Sequence, residues 1–210
     1  MYIPIDFAQS EAFATELLGT SGGGDLVTAT PSGLLATFLP LLYEGNEGGN
    51  PSLLGHLARS NGQWKEQVVG DALVIVRGPD GYVSPSWYES KKRHGRVVPT
   101  WNYVTAHFYG RLVVHDDVDW VGSLVRRLTD RHEATNPSRW SVDDAPADFV
   151  AGQLRSIVGV ELVIGRVEAK AKLSQNRPER DVEGVVAALA ERGDEALAEA
   201  VRSAQVHGRR

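Results

Sequence analysis

Apolar positions recur at different spacings along this chain, and each spacing predicts a different kind of element. Near the start, Phe7, Phe13, Leu17 and Leu18 supply the apolar face of a helix. Asp6 and Gln9 have capping-box separation, and Gly19 gives a stop. Residues 21–25, SGGGD, read as a flexible turn. Leu26 to Thr30 and Leu34 to Leu39 read as a hairpin closed by Pro31, Ser32 and Gly33. Residues 44–50, EGNEGGN, are too polar to pack and predict a loop. Ala72 to Val76 is a buried-strand pattern, Gly78 to Gly81 has turn chemistry, and Tyr82 to Ser84 restarts the sheet. A basic loop is expected over 91–96. Val97 to His115 is rich in β-branched and aromatic residues, with Gly110 placed to bend or end a strand.

The pattern then changes. Val118, Val121, Leu124, Val125 and Leu128 recur at helical spacing, with Trp120 at the border of the stripe. A second helix is expected from Pro146, with Phe149, Val150, Leu154 and Ile157 as its apolar face. Val160 to Leu173 reads as a long strand, and from Gly165 it alternates cleanly. Val167, Ala169, Ala171 and Leu173 fall on one face, and Arg166, Glu168, Lys170 and Lys172 on the other. The last 30 or so residues are alanine-rich and helical, with Val182, Val185, Val186 and Leu189 on one face and a break at Gly193. No repeat of solenoid or propeller length is visible. Six or seven strands with short turns and no helical crossovers between the early ones predict a mainly antiparallel sheet. The class is α+β, a closed or split β-barrel with peripheral helices.

Composition narrows the function classes. Apolar residues are 42% and charged residues 23% of 210, which suits a globular chain and excludes a wholly disordered or fibrous one. We divide it into a barrel domain at 1–178 and a C-terminal helical extension at 179–210. The net charge of −5 argues against a polyanion binder as a whole and leaves room for a local basic patch. The chain has no cysteine, so disulfide scaffolds, thiolate metal sites and cysteine nucleophiles are excluded. The opening MYIPIDFAQSEAF shows no secretory pattern, and no apolar run approaches the roughly 18 residues of a membrane span. A cytoplasmic location is the expectation. The six histidines (56, 94, 107, 115, 132 and 207) form no close ligand pair, and no metal site is assigned. No P-loop, GxGxxG or GxSxG pattern is present, and no catalytic residue is assigned.

Three segments interrupt strand patterns with polar and aromatic residues together. They are Tyr82 to Tyr88 (YVSPSWY), Val98 to Tyr103 (VPTWNY) and Lys172 to Arg177 (KLSQNR). Cations and hydroxyls can hold a phosphate, amides can read ring heteroatoms, and aromatics can stack on a flat ring. The same residues also suit turns and barrel corners. The basic run Lys91-Lys92-Arg93-His94-Gly95-Arg96 has two readings, a solvated loop or a contact to a ligand phosphate or to DNA. No helix-turn-helix pattern accompanies it.

The ordered set TAT-P, GHLARSNGQW, YVSPSWY, VPTWNYVTAHFYG and KLSQNRPERD closely resembles the PaiB family over about residues 1–190. These are FMN-binding-like proteins often described as negative transcriptional regulators. The resemblance implies an FMN-binding split barrel, similar to the pyridoxamine-phosphate oxidase group, working as a homodimer with flavin sites in clefts between subunits. Carried onto this chain, it implies cofactor contacts from Thr28, Thr30 and Thr37 on the first hairpin and from His56, Arg59 and Asn61. It implies the same for Ser84, Ser86 and Trp87 and for Thr100, Trp101 and Asn102. Lys172, Ser174, Gln175, Asn176 and Arg177 would contribute from the partner subunit. FMN-dependent oxidoreduction, sensing and repression by DNA binding are all compatible with this. A haem- or deazaflavin-binding barrel and a cofactor-free dimeric interaction module are the alternatives.

Overall fold

A computed structural model describes residues 1–45 and 48–207. They form two compact units, interleaved in sequence. Three long strands, β6 (Ala72–Val83), β7 (Thr100–His115) and β8 (Ile157–Lys172), contribute residues to both. With β1 (Ala8–Gln9), β2 (Gly23–Thr30), β3 (Gly33–Pro40), β4 (Leu42–Glu44) and β5 (Ser52–Ala58), sheet neighbours follow the order β3-β2-β6-β7-β8-β5-β4, and β1 pairs with β8.

The first unit comprises residues 15–76 and 107–167. It holds most of α1 (Glu11–Ser21), then β2 (Gly23–Thr30), β3 (Gly33–Pro40), β4 (Leu42–Glu44) and β5 (Ser52–Ala58). β2 and β3 form the expected hairpin, in register from Gly23↔Pro40 to Thr30↔Gly33. Thr30 secures its turn: the hydroxyl donates to the Gly33 carbonyl (2.9 Å) and accepts from the Ser32 amide (3.2 Å). β5 lies antiparallel to β8 from Ser52↔Val163 to Ala58↔Ile157, and β4 pairs with β5. The helical stripe at 118–128 folds as α3 (Val118–Glu133), capped by the Asp117 carboxylate, which accepts from the Asp119 and Trp120 amides at 3.0 and 2.8 Å. Leu124 and Leu128 of α3 bury with Leu42 and Leu54 beside Trp120. Each such side chain contributes about 1.5–3 kcal/mol of burial.

The second unit comprises residues 1–14, 77–106 and 168 onward. β1 (Ala8–Gln9) pairs with β8 at Ala8↔Lys170 and Gln9↔Ala169. α2 (Glu89–His94), α5 (Glu179–Glu191) and α6 (Glu195–His207) complete it. Val182, Val185 and Leu189 of α5 are buried, as are Leu197, Ala198 and Val201 of α6.

Several local expectations are corrected. The first helix does not open at Asp6. Residues 5–7 make a 3₁₀ turn, Ala8 and Gln9 are taken by pairing with β8, and α1 begins after Ser10, whose hydroxyl accepts from the Phe13 amide (3.2 Å). The helix continues through Gly19 to Ser21. SGGGD is not a turn, because Gly23 and Gly24 lie in β2. A Cβ on either would come within 2.7 Å of a neighbouring strand's carbonyl oxygen. β6 runs unbroken through 78–81, and β7 through Gly110, where a Cβ would meet the Val163 carbonyl. The basic loop is instead α2, ended by Gly95 in the left-handed region at φ +67°. α4 (Ala147–Leu154) fully buries none of its residues, and Ile157 belongs to β8; of the expected apolar face, Val150 and Leu154 are half-buried and Phe149 is 56% exposed. Within the expected 44–50 loop, Asn46 and Glu47 lie outside the described residues. Strand pairing is also less sequential than expected, since β2 pairs with β6 and β5 with β8.

Candidate functional site

In the first unit, the hairpin threonines and the HLARSN segment meet around Gln63. Its Nε2 donates to the Thr28 hydroxyl (3.1 Å) and the Leu26 carbonyl (3.2 Å). The Thr37 hydroxyl donates to Gln63 Oε1 (2.6 Å) and accepts from Asn61 Nδ2 (3.0 Å). Asn61 Oδ1 in turn takes the Gln63 amide (2.9 Å), capping the 3₁₀ turn at 62–65. Thr28 and Gln63 are buried. The network is closed on itself. Arg59 is also engaged within the chain. Its Nη1 and Nη2 donate to the two Asp116 oxygens (3.0 and 2.5 Å), its Nε to the Arg155 carbonyl (2.8 Å) and Nη2 to the Ile157 carbonyl. The Asp116 hydrogen bond raises the Arg59 pKa, and the Arg59 bond lowers that of Asp116. His56 differs, because its Nδ1 is buried without a partner and burial lowers its pKa.

In the second unit, the three polar-aromatic segments come together. Lys172, at the end of β8, donates to the Thr100 hydroxyl and to the Trp101 carbonyl (3.0 Å) at the start of β7. Asn102 Nδ2 donates to the Ser174 hydroxyl (3.0 Å), and both residues are buried. Ser174 sits at φ +65°, a left-handed conformation uncommon for a non-glycine residue. It redirects the chain so that the Arg177 amide reaches the Ser174 carbonyl (3.0 Å). Gln175 fastens the same turn through the Leu173 amide (2.7 Å) and the Ala171 carbonyl (2.6 Å). Asn176 is exposed. Ser84 caps the 3₁₀ turn at 85–87 by accepting from the Ser86 amide, and the two hydroxyls are 2.7 Å apart. Trp87 is covered on one side by Arg192, whose guanidinium lies 5.5 Å from the ring centroid. Trp101 is 51% exposed and anchored by its indole N–H to Asp80 (2.8 Å). The Arg177 guanidinium lies 4.9 Å from the centre of the Tyr88 ring. Tyr88 is buried, its hydroxyl has no hydrogen-bond partner, and burial raises its pKa. Burial lowers the Lys172 pKa; Tyr103 acts against it, and the Lys170 and Arg177 charges lower it further.

Gln63, Asp80 and Asp116 were not singled out by the sequence, although Gln63 falls inside the quoted GHLARSNGQW stretch. Among the described residues no group of three or more His, Asp or Glu side chains is placed to hold a metal ion, and no helix is long and apolar enough to cross a membrane.

The fold these elements define is an antiparallel split barrel with peripheral helices. Residues 1–166 match the family model described as "Putative FMN-binding domain", and the chain belongs to that family. Its relatives include the protease synthase and sporulation protein PAI 2 of Bacillus subtilis, the PaiB protein. The two are 31% identical over 193 residues, covering 90% of this chain and 89% of that one. An uncharacterized protein of Emericella nidulans is 28% identical over 93% of each chain. Among solved structures, the flavocytochrome Anf3 of Azotobacter vinelandii superimposes with a TM-score of 0.57 at 14% identity, over 84% of this chain and 74% of that one. The FAD and heme binding protein of Mycobacterium smegmatis gives 0.55 at 17%, over 80% and 73%. At these identities the likeness is one of fold. The α+β split β-barrel with peripheral helices expected from the sequence is the fold of this chain.

Proposed function

We propose that the chain binds FMN through its second unit and works as a homodimeric flavoprotein. The observation that carries this is the convergence of three segments far apart in sequence. Lys172 reaches Thr100 and Trp101, and Ser174 reaches Asn102. The residues there fit a phosphorylated flat ligand. Lys172 and Arg177 have no carboxylate partner among the described residues, Ser84, Ser86 and Asn176 offer further polar groups, and Trp101 presents an open ring. Lys172 and Arg177 would hold the phosphate, and Trp101 would pack against the ligand. When bound, the flavin supplies electron-transfer chemistry. In the first unit, Thr28, Thr30, Thr37, Arg59 and Asn61 act as scaffold in this proposal, since their polar groups are engaged within the chain.

Dimerisation is supported by the exposed apolar side chains of β3, Leu34 (76%) and Phe38 (66%), on the terminal strand of the sheet order. The lack of cysteine suits the cytoplasm. A second reading, a DNA-binding repressor, is favoured by α2, where Lys91, Lys92, Arg93 and His94 are all exposed.

The test is an absorption spectrum of the purified protein before and after incubation with FMN and desalting. Retained flavin near one per subunit, lost in Trp101→Ala and Arg177→Ala, supports the first reading. A colourless product overturns it, and a Soret band assigns haem instead. Deazaflavin has its own absorption band, and nicotinamide oxidation by the loaded protein would indicate an oxidoreductase. For the repressor, salt-sensitive binding of duplex DNA that disappears when Lys91, Lys92 and Arg93 are changed to alanine is required. No binding at low salt refutes it.

A further inference from the structure

Lys170 is one of the four charged residues that alternation places on one face of the strand, and it is 7% exposed. Its ammonium donates to the Tyr2 carbonyl (3.1 Å) and lies 5.1 Å from the Tyr103 ring centre and 5.8 Å from that of Tyr2. No carboxylate pairs with it among the described residues. Burying an ammonium costs several kcal/mol unless opposite charge compensates it. One carbonyl and two aromatic faces are weak compensation.

Lys170 is not isolated. Lys172 lies two residues further along the same face of β8, about 7 Å away by strand geometry. Arg177 follows one turn later, and both Lys170 and Arg177 act electrostatically on Lys172. Three cations therefore share one region of the second unit, and none of them is ion-paired to a carboxylate among the described residues.

We propose that Lys170 is a positioning residue that makes this site selective for a doubly charged phosphate monoester. It acts through its charge from beneath the Tyr2 and Tyr103 rings, while Lys172 and Arg177 meet the anion. The proposal rests on the FMN reading for the rest of the ligand, but not for the anion itself. A phosphate monoester carries close to two charges at neutral pH, and riboflavin carries none there. Lys170 should therefore affect the discrimination between these two ligands and leave ring binding unchanged.

The test compares wild type with Lys170→Met, a replacement of similar volume without charge. Wild type is expected to bind FMN more tightly than riboflavin, and Lys170→Met to narrow that ratio by about tenfold, the scale of one nearby charge at partly screened distance. Its thermal midpoint is expected to hold or rise, because removing an uncompensated buried charge is often neutral or stabilising. Lys170→Arg, which keeps the charge, should restore discrimination. An unchanged ratio in Lys170→Met overturns the proposal. So does a ratio that falls only together with a collapse of the thermal midpoint and is not restored in Lys170→Arg. If wild type binds neither flavin, the FMN reading fails and inorganic phosphate decides. A phosphate-dependent rise in the midpoint of wild type that is absent in Lys170→Met upholds the anion site, and no such rise in wild type overturns it.

Discussion

Replacing Gly184 by alanine sets two effects of opposite sign against each other. Within α5, alanine raises helix propensity by about 1 kcal/mol. However, a Cβ on Gly184 would lie 2.1 Å from the Trp87 carbonyl oxygen and 3.2 Å from its carbon. Both are backbone atoms, so no side-chain rotation relieves the contact. Carbon–oxygen approaches closer than about 3.3 Å are strongly repulsive, so α5 and the 85–87 turn must separate. Overpacking of this kind costs about 1–3 kcal/mol, and the displaced neighbours include the buried Val182, Val185 and Tyr88. With a backbone approach this close the clash should win, leaving Gly184→Ala up to about 2 kcal/mol less stable than wild type. Urea unfolding reads this as a lower midpoint at unchanged slope. Gly19→Ala in α1 is the control. Nothing lies within 4 Å of its added Cβ, so propensity acts alone and the variant should gain about 0.5–1 kcal/mol. Because the turn carries Ser84, Ser86 and Trp87, Gly184→Ala should also weaken FMN retention. If both alanine variants are stabilised alike, the close approach of α5 to Trp87 is wrong, and so is the reasoning built on it.

Gln63→Ala removes the hub of a buried network, leaving the Thr28 hydroxyl and the Leu26 carbonyl without a partner. Chemical denaturation should show a loss of about 2 kcal/mol or more, and a loss below a few tenths would contradict the network. Asp117→Ala deletes the cap of α3 and should cost about 1 kcal/mol in the same assay, with Asp117→Asn costing less. Stability should also fall on the acid side in two steps, followed by thermal midpoints from about pH 8 to about pH 4. Burial holds His56 below its ordinary 6.5, so its contribution is complete above 6.5 and disappears as pH falls through the lower folded value. For Glu161, burial pushes upward, but hydrogen bonds from Ser52 and His115 and the His115 and Arg111 charges hold it below 4.5. Its contribution is present above 4.5 and is lost as pH falls through the folded value. His56→Gln should remove the upper step and keep the lower one, and a wild-type midpoint flat across both windows would refute the assignment.

The strands and long helices were legible because their burial is one-sided. The alternation along β2 and the latter part of β8 and the stripe on α3 report which side faces the core. Errors gathered where a residue's local preference is overridden by a partner distant in sequence. Gly23, Gly24 and Gly110 read as turn or break signals, yet they lie inside strands because a side chain there would strike a neighbouring backbone. Ala8 and Gln9 read as helix, but pairing with Ala169 and Lys170 claimed their backbone groups. The 91–96 run read as a loop by its charge. However, the buried Asp181 carboxylate, some ninety residues away, accepts from the Ser90 amide at 2.8 Å near the start of α2 and supports that short helix. None of these partners is visible in a local window.

The candidate site shows the same division, one step further. KLSQNR and VPTWNY, singled out by residue type, meet through Lys172 and Ser174. Residue type did not tell which polar groups are already engaged. Arg59 looks like a phosphate ligand until Asp116, 57 positions later, takes its guanidinium from the front and the 155 and 157 carbonyls take the rest. Thr37 and Asn61 look like ligand contacts until Gln63 closes them into one network. Lys170 shows the converse. Alternation placed it on one face with Arg166, Glu168 and Lys172, and only the Tyr2 and Tyr103 rings that cover it reveal a buried cation. A cation without a carboxylate partner is the better candidate to meet an anion. Under the proposal that criterion moves the phosphate contacts away from Arg59, which Asp116 holds, and toward Lys172 and Arg177, with Lys170 acting through its charge.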